Sequence, residues 1–165
     1  MAQTASIAVQ KLVQFLTATD TGLGPVLANL AAEAGIELPT ISPDNVVHQN
    51  VPAGLMEKSA AVKYPVLHVY CDRAQNLLIE KFRTFSGKVR TVAEVRVSQD
   101  RIEGLEEKVR LYADAVTQVL DTNRGSWGQG MFFAGGYEVK FDPVQHGGRN
   151  FLQLARVTLE VDLSS

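Results

Sequence analysis

The most reactive side chains in this sequence are one cysteine and three histidines. His68 and Cys71 lie three residues apart in a β-rich run, a spacing that sends them to opposite faces of a strand, so they form no local nucleophile–base pair. Cys71 then reads as a small packed hydrophobe. His48 falls in a connecting segment and His146 in a turn, each without a Cys, His or acidic partner at the spacing of known metal motifs. Gly22-Leu-Gly24 lacks the third glycine of a dinucleotide loop and follows a helical pattern rather than a strand, so these glycines serve to break a helix. No Gly-x-Ser-x-Gly elbow is present, and Glu103, Glu106 and Glu107 sit where carboxylates favour a helix N-terminus. The local motifs therefore give no catalytic residue, no cofactor site and no metal site. An enzyme would need residues that only folding brings together, for instance His68, Asp72, His146 and Arg149.

Composition narrows the classes further. The chain has 165 residues, 16 basic against 18 acidic side chains and a formal charge of −2. A single domain of this size buries about two thirds of its unfolded surface, enough for a core without disulfide staples. The near-neutral balance gives no global attraction for nucleic acid or anionic lipid. No basic run followed by an apolar stretch opens the sequence, and no window approaches the roughly 18 apolar residues of a membrane span. The expectation is one cytoplasmically made domain, 1–165, with no membrane association.

The elements that must position these residues change character near residue 65. Residues 1–36 carry helical periodicity: Ile7, Leu12, Phe15 and Leu16 mark a first helix, and Pro25 opens a second that Gly35 ends. Residues 37–64 hold Pro39, Pro43, Pro52 and Gly54 and read as a long, turn-rich loop with short helical pieces, of a length that suits an interaction arm. Residues 65–163 read as an α/β core. The run 65–71 is a strand, 77–85 is β-prone, and Ser86-Gly87 suits a hairpin turn into a strand over 87–98. In that strand Val89, Thr91, Ala93, Val95 and Val97 alternate with Lys88, Arg90, Glu94 and Arg96, which predicts one wet face. Asp100 and Glu103 suggest a capping box, followed by an apolar stripe of Ile102, Leu105, Val109, Tyr112, Val116, Val119 and Leu120 up to Asn123. Two more alternating strands follow, over 137–141 and 151–161. The predicted fold is α+β: a mostly antiparallel sheet of four to five strands, packed on one face by a long amphipathic helix, with N-terminal helices and a long loop.

Two segments ask for more than a structural explanation. In residues 125–136, Trp127, Met131, Phe132 and Phe133 are embedded among five glycines, which suits either a tuck beneath the sheet or burial against another subunit. In residues 142–150, Asp142, His146 and Arg149 surround a Gly-Gly turn between the last two strands.

Taken in order, Glu94-Val-Arg-Val-Ser98, the helix running to Asn123-Arg-Gly-Ser-Trp127, Gly135-Gly-Tyr-Glu-Val139, Phe141-Asp-Pro143 and His146-Gly-Gly-Arg-Asn-Phe-Leu-Gln153 resemble the tail terminator (tail completion) proteins of long-tailed bacteriophages. The resemblance covers roughly residues 60 to 163. It implies a non-enzymatic α+β virion protein, assembled in the host cytoplasm into a ring, usually a hexamer, on the last ring of the tail tube. Its implied partners are copies of itself, the tail-tube protein and the head–tail connector, with DNA only in transit. Another neck protein, such as a head-closure or adaptor ring, shares this composition.

A head-to-tail ring needs two different complementary patches on each subunit. The candidates are the aromatic segment (Trp127, Met131, Phe132, Phe133), the 37–64 loop, and charges on alternating sheet positions: Lys88, Arg90 and Arg96 against Glu138, Asp142 and other acidic neighbours, with His146 and Arg149 beside them. The same charges can equally neutralise one another within one sheet.

Overall fold

The computed structural model describes residues 4–59, 62–147 and 149–165. Two strands set the plan. β3 (Ser86–Gln99) and β8 (Asn150–Ser164) pair antiparallel in unbroken register from Ser86 opposite Ser164 to Gln99 opposite Phe151. β2 (Val66–Asn76) flanks β3, and β1 (Val46–Val47) adds to β2 in parallel at Leu67 and His68. The other edge of β8 is shared by three short strands in succession: β7 (Gln145–Gly147), β6 (Tyr137–Phe141) and β5 (Met131–Phe133), the last in a hairpin with β4 (Gly125–Gly128). The fold is thus α+β, with a mixed eight-stranded sheet and four α-helices among the described residues rather than the four to five strands expected. The extra strands, β1, β4, β5 and β7, are two to four residues long, too short to show a period in sequence.

Three helices line one face of this sheet. α1 (Thr4–Thr17) buries Ala8, Leu12 and Leu16 at every fourth position against β2 and β3. α4 (Leu105–Thr122) lies across β3 and β8 on the stripe Leu105, Val109, Tyr112, Val116, Val119 and Leu120. α2 (Leu23–Ala34), with Pro25 in its first turn and Gly35 in the left-handed conformation after its end, packs on α4. The alternate residues Val89, Ala93, Val95 and Val97 of β3 and Ala155, Val157, Leu159, Val161 and Leu163 of β8 meet these helices in one core. The expected capping box is not formed. α4 starts at Leu105 after Gly104 at φ +76, Ile102 is exposed, and the Gln99 amide instead donates to the carbonyls of Arg101 and Glu103.

The 37–64 segment is more ordered than a loop. It contains a 3-10 turn (Pro43–Asn45), β1 and α3 (Ala53–Ser59). Tyr112 donates a hydrogen bond to the Pro39 carbonyl, which ties the segment to the helical face. On the opposite face Ala53 packs with Leu152, Leu154 and Tyr64, so α3 roofs one end of the second side of the sheet. The β2–β3 turn also differs from expectation. β2 runs on through a bulge at Asp72 to Asn76, residues 77–85 form the loop, and Ser86-Gly87 lie inside β3. Gly87 is required there by close approach, since a Cβ at this position would lie 1.9 Å from the Gln75 carbonyl oxygen. Gly130 plays the same part in the β4–β5 hairpin, 2.0 Å from the Ser164 oxygen and at φ +79.

The aromatic Gly-rich segment folds inward. Trp127 stands edge-on to Phe15 at 5.1 Å and beside Phe133 at 5.4 Å, and its indole N–H donates to the Asn123 carbonyl at 2.7 Å. Trp127, Met131 and Phe133 are core residues, which corrects their assignment to a partner surface; only Phe132, on the opposite side of its strand, faces solvent. The glycines allow the tight hairpin that carries the indole under the sheet. Trp127→Ala should therefore lower the stability of the monomer by about 3–5 kcal/mol in urea unfolding, the range for a buried aromatic, instead of acting on assembly alone.

Candidate functional site

The side of the sheet turned away from α1, α2 and α4 carries the even-numbered residues of β3 and β8 and, like them, the polar chemistry of the molecule. At its roofed end Glu94 is the hub. β3 places Glu94 and Arg96 on the same face, register sets Arg156 opposite Glu94, and Tyr70 lies on the neighbouring diagonal of β2. One Glu94 oxygen accepts from Arg96 Nε at 2.7 Å, and the other accepts from the Tyr70 hydroxyl at 3.1 Å and Arg156 Nε at 3.0 Å. Arg156 Nη1 lies 2.9 and 2.8 Å from the two Asp142 oxygens, and Arg96 Nη2 donates to the Val51 carbonyl.

The result is a chain of alternating charge from Asp142 to Arg96 that sums to zero. Glu94 and Arg96 are only 3% exposed, which corrects the expectation of a wet face here: α3 and the segment before it cover the middle of the strand. A cleft of about 410 Å³ opens over this chain, between Asn50, Pro52, Tyr70, Gln145 and Arg156.

Burial shifts two titratable groups on this side of the sheet. Burial and the Glu94 carboxylate push the Tyr70 phenol up to about 12. His68, opposite Glu94 in register, has Nδ1 at 3.1 Å from the Gln49 carbonyl and a buried Nε2 with no hydrogen-bond partner. Burial lowers its pKa, the Arg96 guanidinium lowers it further, and the Gln49 carbonyl and Glu94 act against that shift. A neutral ring donating from Nδ1 satisfies this geometry. The Glu94 carboxylate is fully taken up by two guanidiniums and a phenol. The cleft is thus an electrostatic lock in which both Glu94 oxygens are engaged.

Beyond the roof the same face is open. Lys88 and Arg73 both reach Glu160 at 3.2 Å, and Arg90 grips Asp72 through two bonds of 2.7 and 2.8 Å. Lys88, Arg90 and Glu160, with Glu138 and Asp162, line a second cleft of about 400 Å³. Each of these pairs is partly exposed and holds little energy of its own, because water screens both partners.

The residues singled out in sequence are therefore scattered. Lys88, Arg90 and Glu138 share the open cleft, Arg96 and Asp142 the roofed one, and Phe132 stands opposite Asp162 on the open face. His146, exposed, lies with its ring 5.6 Å from Phe151, and Arg149 is exposed in the β7–β8 turn. His68, Asp72, His146 and Arg149 are not brought together: His68 is interior, Asp72 is committed to Arg90, and the other two lie beyond β8. Among the described residues no group of three or more His, Cys, Asp or Glu side chains could hold a metal ion. Cys71 is half-buried beside the core, and burial raises its thiol pKa.

Sequence reading missed the central role of Tyr70, Glu94 and Arg156. The signal was there in the alternation of charge on two strands, but it needs the register of β3 with β8 to be read. No protein-family model matches the chain, and no curated protein matches it either.

Two measurements separate the lock from the open pairs. Glu94→Ala strands two guanidiniums and should cost about 3–5 kcal/mol in urea unfolding, whereas Lys88→Ala should cost under about 1 kcal/mol. For His68 the folded pKa lies below the ordinary 6.5, so above that value both states are neutral and it adds no pH dependence. As pH falls below it, the unfolded chain takes up a proton that the folded one refuses, and stability drops. His68→Gln should flatten the loss of stability between about pH 6.5 and 5, read as the difference between the two unfolding free energies.

Proposed function

We propose that this chain is a structural virion protein of a long-tailed bacteriophage: a tail terminator whose ring caps the tail tube, stops its growth and presents the surface to which the head connector binds. The observation that carries the reading is the open half of the second sheet face, where Lys88, Arg90, Glu138, Glu160 and Asp162 form a mixed-charge patch rimmed by Phe132. Such a patch, with its ion pairs half in water, exchanges partners at little cost and gives register and orientation to a protein contact. Of the motifs that resemble terminator proteins, Gly135 to Val139 borders this patch, while Glu94 and Asp142 lie at the roofed end of the same face and α4 with Trp127 lies on the helical side. Catalysis is no part of the reading, and the saturated Glu94 cluster serves it as a rigid support.

Ring formation requires unlike patches on each subunit, and the mixed charge of the sheet face is suited to that arrangement. A formal charge of −2 also suits a ring that DNA traverses, because a strongly cationic lining would hold phosphate.

The test is the tail itself. Deleting the gene from a phage or prophage that carries it should give tubes of uncontrolled length without heads, and tails of normal length joined to heads would overturn the reading. Binding of the purified ring to the connector but not to tube ends would make it an adaptor ring instead. Lys88→Gln combined with Arg90→Gln should leave circular dichroism and the urea midpoint close to wild type and yet fail to restore tail length in the deletion strain.

A further inference from the structure

The loop between β2 and β3, residues 77–85, holds apolar side chains out in water. Phe82 is fully exposed, and Leu78 and Ile79 are 66% and 71% exposed. This is an ordered loop. The Asn76 side chain accepts from the backbone N–H groups of Leu78 and Ser86 and donates to the Thr84 carbonyl, at 3.0–3.2 Å. Glu80 accepts from the Ser164 hydroxyl at 2.7 Å, and its own N–H donates to Ser86 Oγ at 3.0 Å. Leu78 and Phe82 nevertheless sit at φ +50 and +66, a region that side-chain-bearing residues seldom occupy. A braced loop that spends backbone strain to display a phenyl ring is built for contact.

The same chain carries a receptor of matching size. Between α1, α2 and the segment before β1 lies a small apolar cavity of about 150 Å³, lined by Leu16, Leu23, Pro25, Ile41 and Val46. An apolar cavity of about 150 Å³ accommodates a benzene ring. Asp20 and Asp44, both exposed, adjoin lining residues of this cavity, while Lys81 and Arg83 flank Phe82 on the loop, Arg83 in an exposed pair with Glu80 at 3.6 Å that water keeps exchangeable. A chain cannot fill its own cavity. Val46 pairs with Leu67 at one end of β2 and the loop follows Asn76 at the other, which at 3.3 Å per residue separates them by about 30 Å.

We propose that Phe82 of one copy seats in the Leu16–Leu23–Ile41 cavity of a second copy, with Lys81 and Arg83 meeting Asp20 and Asp44 around it. Knob and hole are different surfaces at opposite ends of the molecule, so the contact is head-to-tail and repeats from copy to copy. For its closure into a ring it rests on the function proposed above; for its chemistry it does not.

Sedimentation of the full chain, with Phe82→Asp beside it, tests the contact. The wild type should form oligomers at high concentration, and Phe82→Asp should lose them, a weakening of about tenfold or more, with circular dichroism and urea midpoint unchanged. In a Cys71→Ser background that keeps Phe82, a short bis-maleimide should join a Lys81→Cys copy to a Thr19→Cys copy, and neither variant to itself. Oligomers that survive Phe82→Asp overturn this contact while leaving the ring intact. A wild type that stays monomeric at millimolar concentration overturns it too, and tail length in the deletion strain then judges the ring separately. Capture of the monomer by phosphatidylserine-containing vesicles, lost in Phe82→Asp, would assign the loop to a lipid surface and overturn the self-contact.

Discussion

The antiparallel ladder between β3 and β8 fixes the identity of both faces of the sheet. Its register runs from Ser86 opposite Ser164 to Gln99 opposite Phe151 without a shift. A slip of one residue would reverse one strand against the other, turning either Val89, Ala93 and Val95 or Ala155, Val157 and Leu159 away from α4 and carrying that strand's charges, Glu94 and Arg96 or Arg156, into the helical core. The two sets oppose such a slip for different reasons. Apolar burial holds one side, and the cost of an unpaired interior charge holds the other. β2 inherits its facing from β3, and β5, β6 and β7 inherit theirs from β8, so every charged cluster and both clefts on the polar side follow from this one pairing.

Charge on that side is graded along the strands. Under the α3 roof Glu94 and Arg96 are dry, Arg156 and Asp142 complete their chain in partial contact with water, and past them Lys88, Arg90, Arg73, Asp72 and Glu160 pair in partial contact with water as well. The same residue types therefore do different physical work at the two ends. The Glu94–Arg96 link resists rearrangement because breaking it leaves a buried charge, whereas the outer pairs can be remade against another surface at little loss. Rigidity and adaptability lie a few residues apart on the same two strands.

Much of this was legible in sequence where the period was long. The stripe from Leu105 to Leu120 and the alternation of 88–97 and 151–161 predicted α4, β3 and β8 and the facing of their side chains. What escaped was set by tertiary register or by single backbone positions. Gly87 reads as a turn in sequence because nothing local reveals the Gln75 carbonyl pressed against it. The β-prone run 77–85 lacks alternation because Leu77, Leu78, Ile79 and Phe82 all stand in water and only Phe85, at its end, enters the core. Trp127 and Phe132 read alike as either tucked beneath the sheet or buried against another subunit, and only the β4–β5 hairpin and its pairing with β8 send one inward and the other out. Glu94 reads as one of several solvated charges, since its partner Arg156 is distant in sequence and is matched to it only by register.

The central position of β8 also governs the time course of folding. Its partner β3 is separated from it in the chain by α4 and by four of the short strands, so the ladder on which everything depends is a non-local closure that pays loop entropy before it gains contacts. The β2–β3 hairpin and α4 are local and form early, while the outer short strands have no edge to join until β8 arrives. Until then the apolar side of β3 has only helices to cover it. The amphipathic stripe of α4 thus acts first as a temporary shield and only later as the permanent layer of the core, a kinetic role that its final position does not reveal.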